Sequence, residues 1–125
     1  MATSYKIDKD LGVVYSTASG VATDGDLLAH QYQLSHDPDF QPYFRQLLDA
    51  REITSLNVTP EGIRALIAGN PWGNGARRAL VAADETTFGM ARMFELSRPN
   101  PQDEFRVFRT MDEARAWLGL SPEAP

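Results

Sequence analysis

Cysteine is absent from the 125-residue chain, and histidine occurs only twice. The first absence removes disulfides, thiolate metal ligands and cysteine nucleophiles together, so the core has to hold by packing alone. Basic charge is also in deficit: twelve Lys plus Arg stand against seventeen Asp plus Glu, a formal charge of −5. Neutralising nucleic-acid phosphates takes a concentration of cations that this chain lacks, so no nucleic-acid partner is expected. No stretch approaches the roughly 18 apolar residues of a membrane span, and residues 1–10 hold no apolar run of the signal-peptide kind. The expected location is the cytoplasm.

What is present is an ordinary globular composition, 42% hydrophobic and 23% charged. That is enough for one domain, which at this size hides roughly two-thirds of its unfolded surface. We assign it to residues 1–120, with a disordered tail over 121–125.

Tyr5 to Asp8 and Val13 to Ser19 are β-branched and aromatic runs around Lys9-Asp10 and Gly12, which reads as a hairpin. Thr23 before Asp24 and Asp26 caps a first helix, ended by Asp37-Pro38. Phe44 to Asp49 is a third strand whose adjacent Leu47 and Leu48 imply cover on both faces, hence a central position. Thr59-Pro60 opens a second helix, since the hydroxyl caps free amides and proline at the first helical position loses no hydrogen bond. Arg78 to Ala82 is a fourth strand, Asp84 caps a third helix, and Pro99 and Pro101 end it. Glu104 to Arg109 is the last strand, and Thr110 with Glu113 forms a capping box for a final helix. Strands alternating with helices imply right-handed crossovers onto one sheet. The expected fold is α/β, with a single five-stranded mostly parallel sheet, an antiparallel N-terminal hairpin strand and four helices.

The third helix carries more apolar surface than one docking stripe requires. At about 100° per residue, Phe88, Met90, Ala91 and Phe94 fall on one side, while Met93 and Leu96 fall on the roughly opposite one. Such a surplus calls for a cover: a partner, a second copy, an apolar ligand or a membrane surface. Trp72, in the glycine-containing loop 69–75, reads as a core plug or an interfacial anchor.

Two segments carry a family resemblance: Val58-Thr59-Pro60-Glu61-Gly62-Ile63, and Phe105-Arg106-Val107-Phe108 leading to Glu113-Ala114-Arg115-Ala116-Trp117-Leu118. With the element order, they resemble the SpoIIAA-like family, which is similar in fold to STAS and CRAL-TRIO domains. Signalling STAS domains carry Asp-Ser-Ser-Gly-Leu at this helix start, with the first Ser phosphorylated. Matching Gly62 and Ile63 to that motif places Thr59 at its Asp, Pro60 at the acceptor Ser and Glu61 at the second Ser. Pro60 has no hydroxyl, so the phospho-switch does not carry over. The resemblance implies a non-enzymatic domain that binds an apolar ligand, a membrane surface or a protein.

Enzymatic readings find little support. His30 and His36, six apart, do not share a helix face as a metal pair four apart would. Gly69, Gly73 and Gly75 connect helix to strand, the reverse of a phosphate loop, and no Lys-Ser or Lys-Thr follows. The carboxyl ends of the strands collect Asp24, Asp26, Asp49, Glu52, Glu61, Asp84, Glu85, Asp112 and Glu113 against Arg51 and Arg109, an acidic rim that suits a basic peptide or simply complements helix dipoles. Arg77, Arg78 and Arg98 fall near the opposite end, where an anionic lipid headgroup is one reading and solvated surface the favoured one. The expectation is therefore no enzyme, no metal and no cofactor. The third helix, through Phe88, Met90, Met93, Phe94 and Leu96 with Trp72, is expected to meet a protein partner, a second copy, an apolar ligand or a membrane. The alternative is an anti-sigma-factor-antagonist-like regulator of STAS type lacking the phosphoserine switch, for which modification of Thr59 or Ser55 is the discriminator.

Overall fold

The computed structural model describes residues 2–122. Its elements follow the expected order: β1 (Thr3–Asp8), β2 (Val13–Thr23), α1 (Asp24–Ser35), β3 (Arg45–Asn57), α2 (Pro60–Ala68), β4 (Arg77–Val81), α3 (Glu85–Ser97), β5 (Glu104–Phe108) and α4 (Met111–Leu118). The five strands form one sheet in the order β1-β2-β3-β4-β5, with β3 central. Only the β1–β2 pair is antiparallel. Their turn closes through Gly12, at φ 68°, whose amide donates to the Asp8 carbonyl. A Cβ there would also crowd the Phe44 ring at 3.3 Å.

Each helix begins on the side chain read for it from the sequence. Thr23 and Asp26 form a reciprocal capping box, while Thr59 accepts from the Gly62 amide, Asp84 from Thr87 and Thr110 from Glu113. Because the sheet is wound in one direction from β2 to β5, three right-handed crossovers lay α1, α2 and α3 on the same face. After β5 the chain returns over the other face, where α4 packs Ala114 and Leu118 on Leu47, Ala79 and Val81. Strand alternation then separates neighbours: Leu47 lies under α4 while Leu48 turns to the three-helix side.

Two strands run well past the ends read from the sequence. β2 continues to Thr23 and β3 to Asn57, through register shifts near Thr17 to Val21 with Gly20 at φ 64°. Beyond Asp49, β3 has lost β4 as a neighbour and pairs with β2 alone, so its second half is a two-stranded ribbon. Its mixed polar sequence, Arg51-Glu52-Ile53-Thr54-Ser55, lacks the apolar alternation of a covered strand and gives no signal of its own.

Trp72 is a core plug, 5% exposed, with its ring 4.9 Å edge-on from Phe40 and packed in a cluster with Val14, Leu34, Phe44 and Ala76. Of the tail assigned to 121–125, residues 123–125 lie outside the described residues, and the Ser121 carbonyl accepts from Arg115 Nε at 2.7 Å.

Candidate functional site

A cavity of about 400 Å³ lies between the three-helix layer and the sheet. Its apolar walls come from every layer: Leu27 and Leu34 of α1, Ile63, Leu66 and Ile67 of α2, Met90, Ala91 and Phe94 of α3, and Leu48, Leu80 and Phe105 from the strands. The ribbon formed by the extended β2 and β3 adds Ile53 and Leu56. Side chains of this size normally interdigitate to leave few voids larger than a water. Here the facing strands contribute the small side chains of Ala18 and Ala50, which leave space beneath the helices unfilled.

One end of the cavity is polar and chemically distinct. Gln46 and Arg78 enter from the starts of β3 and β4, Asn70 and Arg98 from just past α2 and α3, and Asp103 from the residue before β5. Asp103 is the hub. Its side chain is fully buried and takes Arg98 Nη1 at 2.8 Å, Arg78 Nη1 at 3.2 Å and Asn70 Nδ2 at 2.9 Å. Burial alone raises its pKa, but the two guanidiniums and the Asn70 bond prevail and hold it below the ordinary carboxylate range. Arg78 is pushed down to about 10, chiefly by burial, with Asp103 opposing the shift. The guanidiniums also lie against aromatic rings, Arg78 over Trp72 and Phe105 and Arg98 over Phe105 and Phe94, at 5.1 to 5.8 Å from the centroids.

From Arg78 a relay runs into the wall. Arg78 Nε donates to Gln46 Oε1 at 3.0 Å, Gln46 Nε2 donates to Ser16 Oγ at 3.1 Å, and Ser16 Oγ lies 3.0 Å from His30 Nε2. With its proton on Nδ1, His30 accepts the Ser16 hydroxyl and every bond points the same way. Burial, assisted by the positive charge of Arg78, pushes the His30 pKa down to about 4, so the ring is neutral at neutral pH.

The structure divides the residues expected on the third helix. Met90 and Phe94 line the cavity, and Trp72 borders it from the loop before β4. Phe88 is half-buried beside them and sits under Arg109, 3.9 Å from its centroid. Met93 and Leu96 face outward, 71% and 70% exposed, so they belong to a different surface. Thr59, Pro60 and Glu61 are exposed at the start of α2 and do not themselves line the cavity, although Val58 and Ile63 on either side of them do. Thr59 Oγ1 donates to Asp24 Oδ2 at 2.5 Å, so a carboxylate of the same chain already occupies that helix end.

One sequence reading is corrected. Arg78 and Arg98 are not solvated surface, since their side chains are only 13% and 6% exposed and both bind Asp103. His30 is half-buried against Ser16, while His36 sits exposed at the end of α1. The acidic rim resolves into caps and pairs. Asp24, Asp26, Asp84 and Glu113 serve helix starts, Asp49 binds Arg51, and Glu85 binds Arg109. Among the described residues, no group of three or more His, Asp or Glu could hold a metal, and no helix is long and apolar enough to cross a membrane.

One mostly parallel sheet, a leading antiparallel strand, three helices on one face and one on the other define a SpoIIAA-like α/β fold. The chain is similar to the crystal structure of an uncharacterised protein of the DUF3478 family, with a SpoIIAA-like fold, from Shewanella loihica PV-4. The TM-score is 0.60 and the identity 17%, over 94% of each chain. No family model matches the chain, and no curated protein matches it.

Proposed function

We propose that this protein is a non-catalytic binding domain that takes an apolar small molecule into the cavity under α1, α2 and α3. The observation that carries the reading is the cavity itself. At about 400 Å³ it falls within the roughly 300–1,000 Å³ of small-molecule sites, and its mainly apolar wall with few polar groups is the usual composition of such sites. The polar groups present support binding over catalysis. Asp103 is engaged by two arginines, and the Ser16 hydroxyl that His30 holds is buried, 2% exposed, and does not line the cavity.

Native mass spectrometry of the protein mixed with decanol tests this reading, together with the Ala50→Leu variant. Decanol is expected to bind one to one, and the larger side chain at Ala50, which lines the cavity, is expected to abolish binding. Absence of an adduct on the unmodified protein, or equal binding by the variant, overturns the proposal.

A second reading rests on Met93 and Leu96, three residues apart on α3 and both about 70% exposed. They suit contact with a protein partner, a second copy or a membrane surface. Sedimentation velocity and vesicle co-sedimentation of the Met93→Glu, Leu96→Glu double variant test it, with association lost in the variant as the expected result. The regulatory alternative of STAS type has less support, because Pro60 offers no hydroxyl and the Thr59 hydroxyl is engaged by Asp24.

A further inference from the structure

The cavity is amphipathic along its length. Its apolar residues Ile53, Leu56 and Val58 lie beyond the stretch where β3 pairs with β4, toward the carboxyl ends of the strands. Gln46, Arg78, Asn70, Arg98 and Asp103 gather at the amino ends. A molecule that fills both regions has an apolar tail and a polar head.

Charge decides the head. The charged residues that line the cavity are Arg78, Arg98 and Asp103, so two guanidiniums face one carboxylate and one positive charge is left without a counter-charge. His30 adds none, being neutral at neutral pH. The carboxyl ends of α2 and α3 contribute partial negative charge nearby, yet among the described residues no carbonyl of either helix accepts from these guanidiniums. Arg98 carries the imbalance in atomic form. Its side chain is 6% exposed, and its Nε is buried with no hydrogen-bond partner among the described residues. A buried cation without a counter-charge is costly, and a monoanion at this end of the cavity removes that deficit. An uncharged head leaves the charge, and a phosphate dianion replaces it with one of opposite sign.

We propose that the ligand is an alkyl carboxylate, seated with its head at the Arg78–Arg98 end of the cavity and its tail among Leu48, Ile53, Ile63 and Met90. This rests on the cavity being a ligand site, and it adds the chemical class of the ligand. The carboxylate supplies the missing counter-charge to the Arg78–Arg98 pair, and the tail displaces no polar contact within the relay from Arg78 to His30.

Calorimetric titration of the full chain with decanoate, decanol and decyl phosphate separates the two levels. Decanoate is expected to bind at least about tenfold more tightly than decanol, the scale of one charge-assisted hydrogen bond, and more tightly than decyl phosphate. In Arg98→Met the lining carries no net charge, and the preference for decanoate over decanol is expected to collapse. Equal binding of decanoate and decanol by the unmodified protein overturns the carboxylate assignment while leaving the apolar site intact. Tighter binding of decyl phosphate overturns it in favour of a phosphate head. If none of the three binds, the cavity reading fails as well. The comparison of head groups on the unmodified protein needs no variant, so it decides the matter even where Arg98→Met does not fold.

Discussion

Mild acidification is expected to destabilise this protein through His30. In the unfolded chain the imidazole titrates near 6.5, whereas in the folded protein burial and Arg78 push it down to about 4. Between those values the unfolded state binds the extra proton, so stability falls as pH falls. The loss begins near 6.5 and is complete below about 4, where it amounts to about 3 kcal/mol. Between about pH 7 and about pH 5 the share lost is about 2 kcal/mol, a large part of a total that is typically about 5–15 kcal/mol. Asp49, Asp84 and Asp103 are held below 3.8 and stay charged throughout this window, and His36 is present in any His30 variant. The assay is urea unfolding of the unmodified protein and of His30→Gln, which retains a polar partner for Ser16 Oγ, at both pH values. The unmodified protein is expected to lose about 2 kcal/mol more than the variant. Equal losses would mean that His30 titrates normally, and would refute the buried relay from Arg78 as drawn.

Other expectations follow from packing and charge. Asp103→Asn leaves two buried guanidiniums facing each other and is expected to cost about 3–5 kcal/mol, read as a drop in the urea midpoint at unchanged slope. Ala50→Leu is expected to leave stability unchanged or raise it, because its added methyls enter existing space; a loss of about 1–3 kcal/mol is the signature of a site already full. In Gly62→Ala the new Cβ clashes with the Asp24 carboxylate, which displaces the group that holds Thr59. A loss of about 1–2 kcal/mol is expected, along with strong non-additivity when combined with Asp24→Ala. Met93→Glu and Leu96→Glu each change an exposed position and are expected to shift thermal stability by no more than about 0.5 kcal/mol.

Local chemistry made most of the fold legible. Thr23, Thr59, Asp84 and Thr110 each satisfy free amides within three residues of themselves, so the helix starts follow from the sequence alone. The adjacency of Leu47 and Leu48 announced a strand covered on both sides, and β3 is the central strand. The two faces of α3 were equally plain, since helical periodicity separates Met90 and Phe94 from Met93 and Leu96 whatever they pack against. The second half of β3 was not legible, because only pairing with β2 makes Arg51 to Asn57 a strand.

The candidate site belongs to tertiary structure almost entirely. Arg78 and Arg98 look like surface cations in the sequence; 25 and 5 residues separate them from Asp103, and nothing local marks that aspartate as their shared partner. Asn70 reaches the same carboxylate across 33 residues, and Ser16 joins His30 and Gln46 across 14 and 30. The cavity likewise depends on which side chains from distant segments face one another, with the small Ala18 and Ala50 opposite three helices. Sequence thus determined where the helices and, outside the ribbon of β2 and β3, the strands fall and which way their apolar sides point, because those follow from capping and periodicity over a few residues. Which charges are buried together, and how much space remains among the apolar side chains, was decided only when the crossovers brought distant segments into contact, since burial and pairing are properties of neighbours in space.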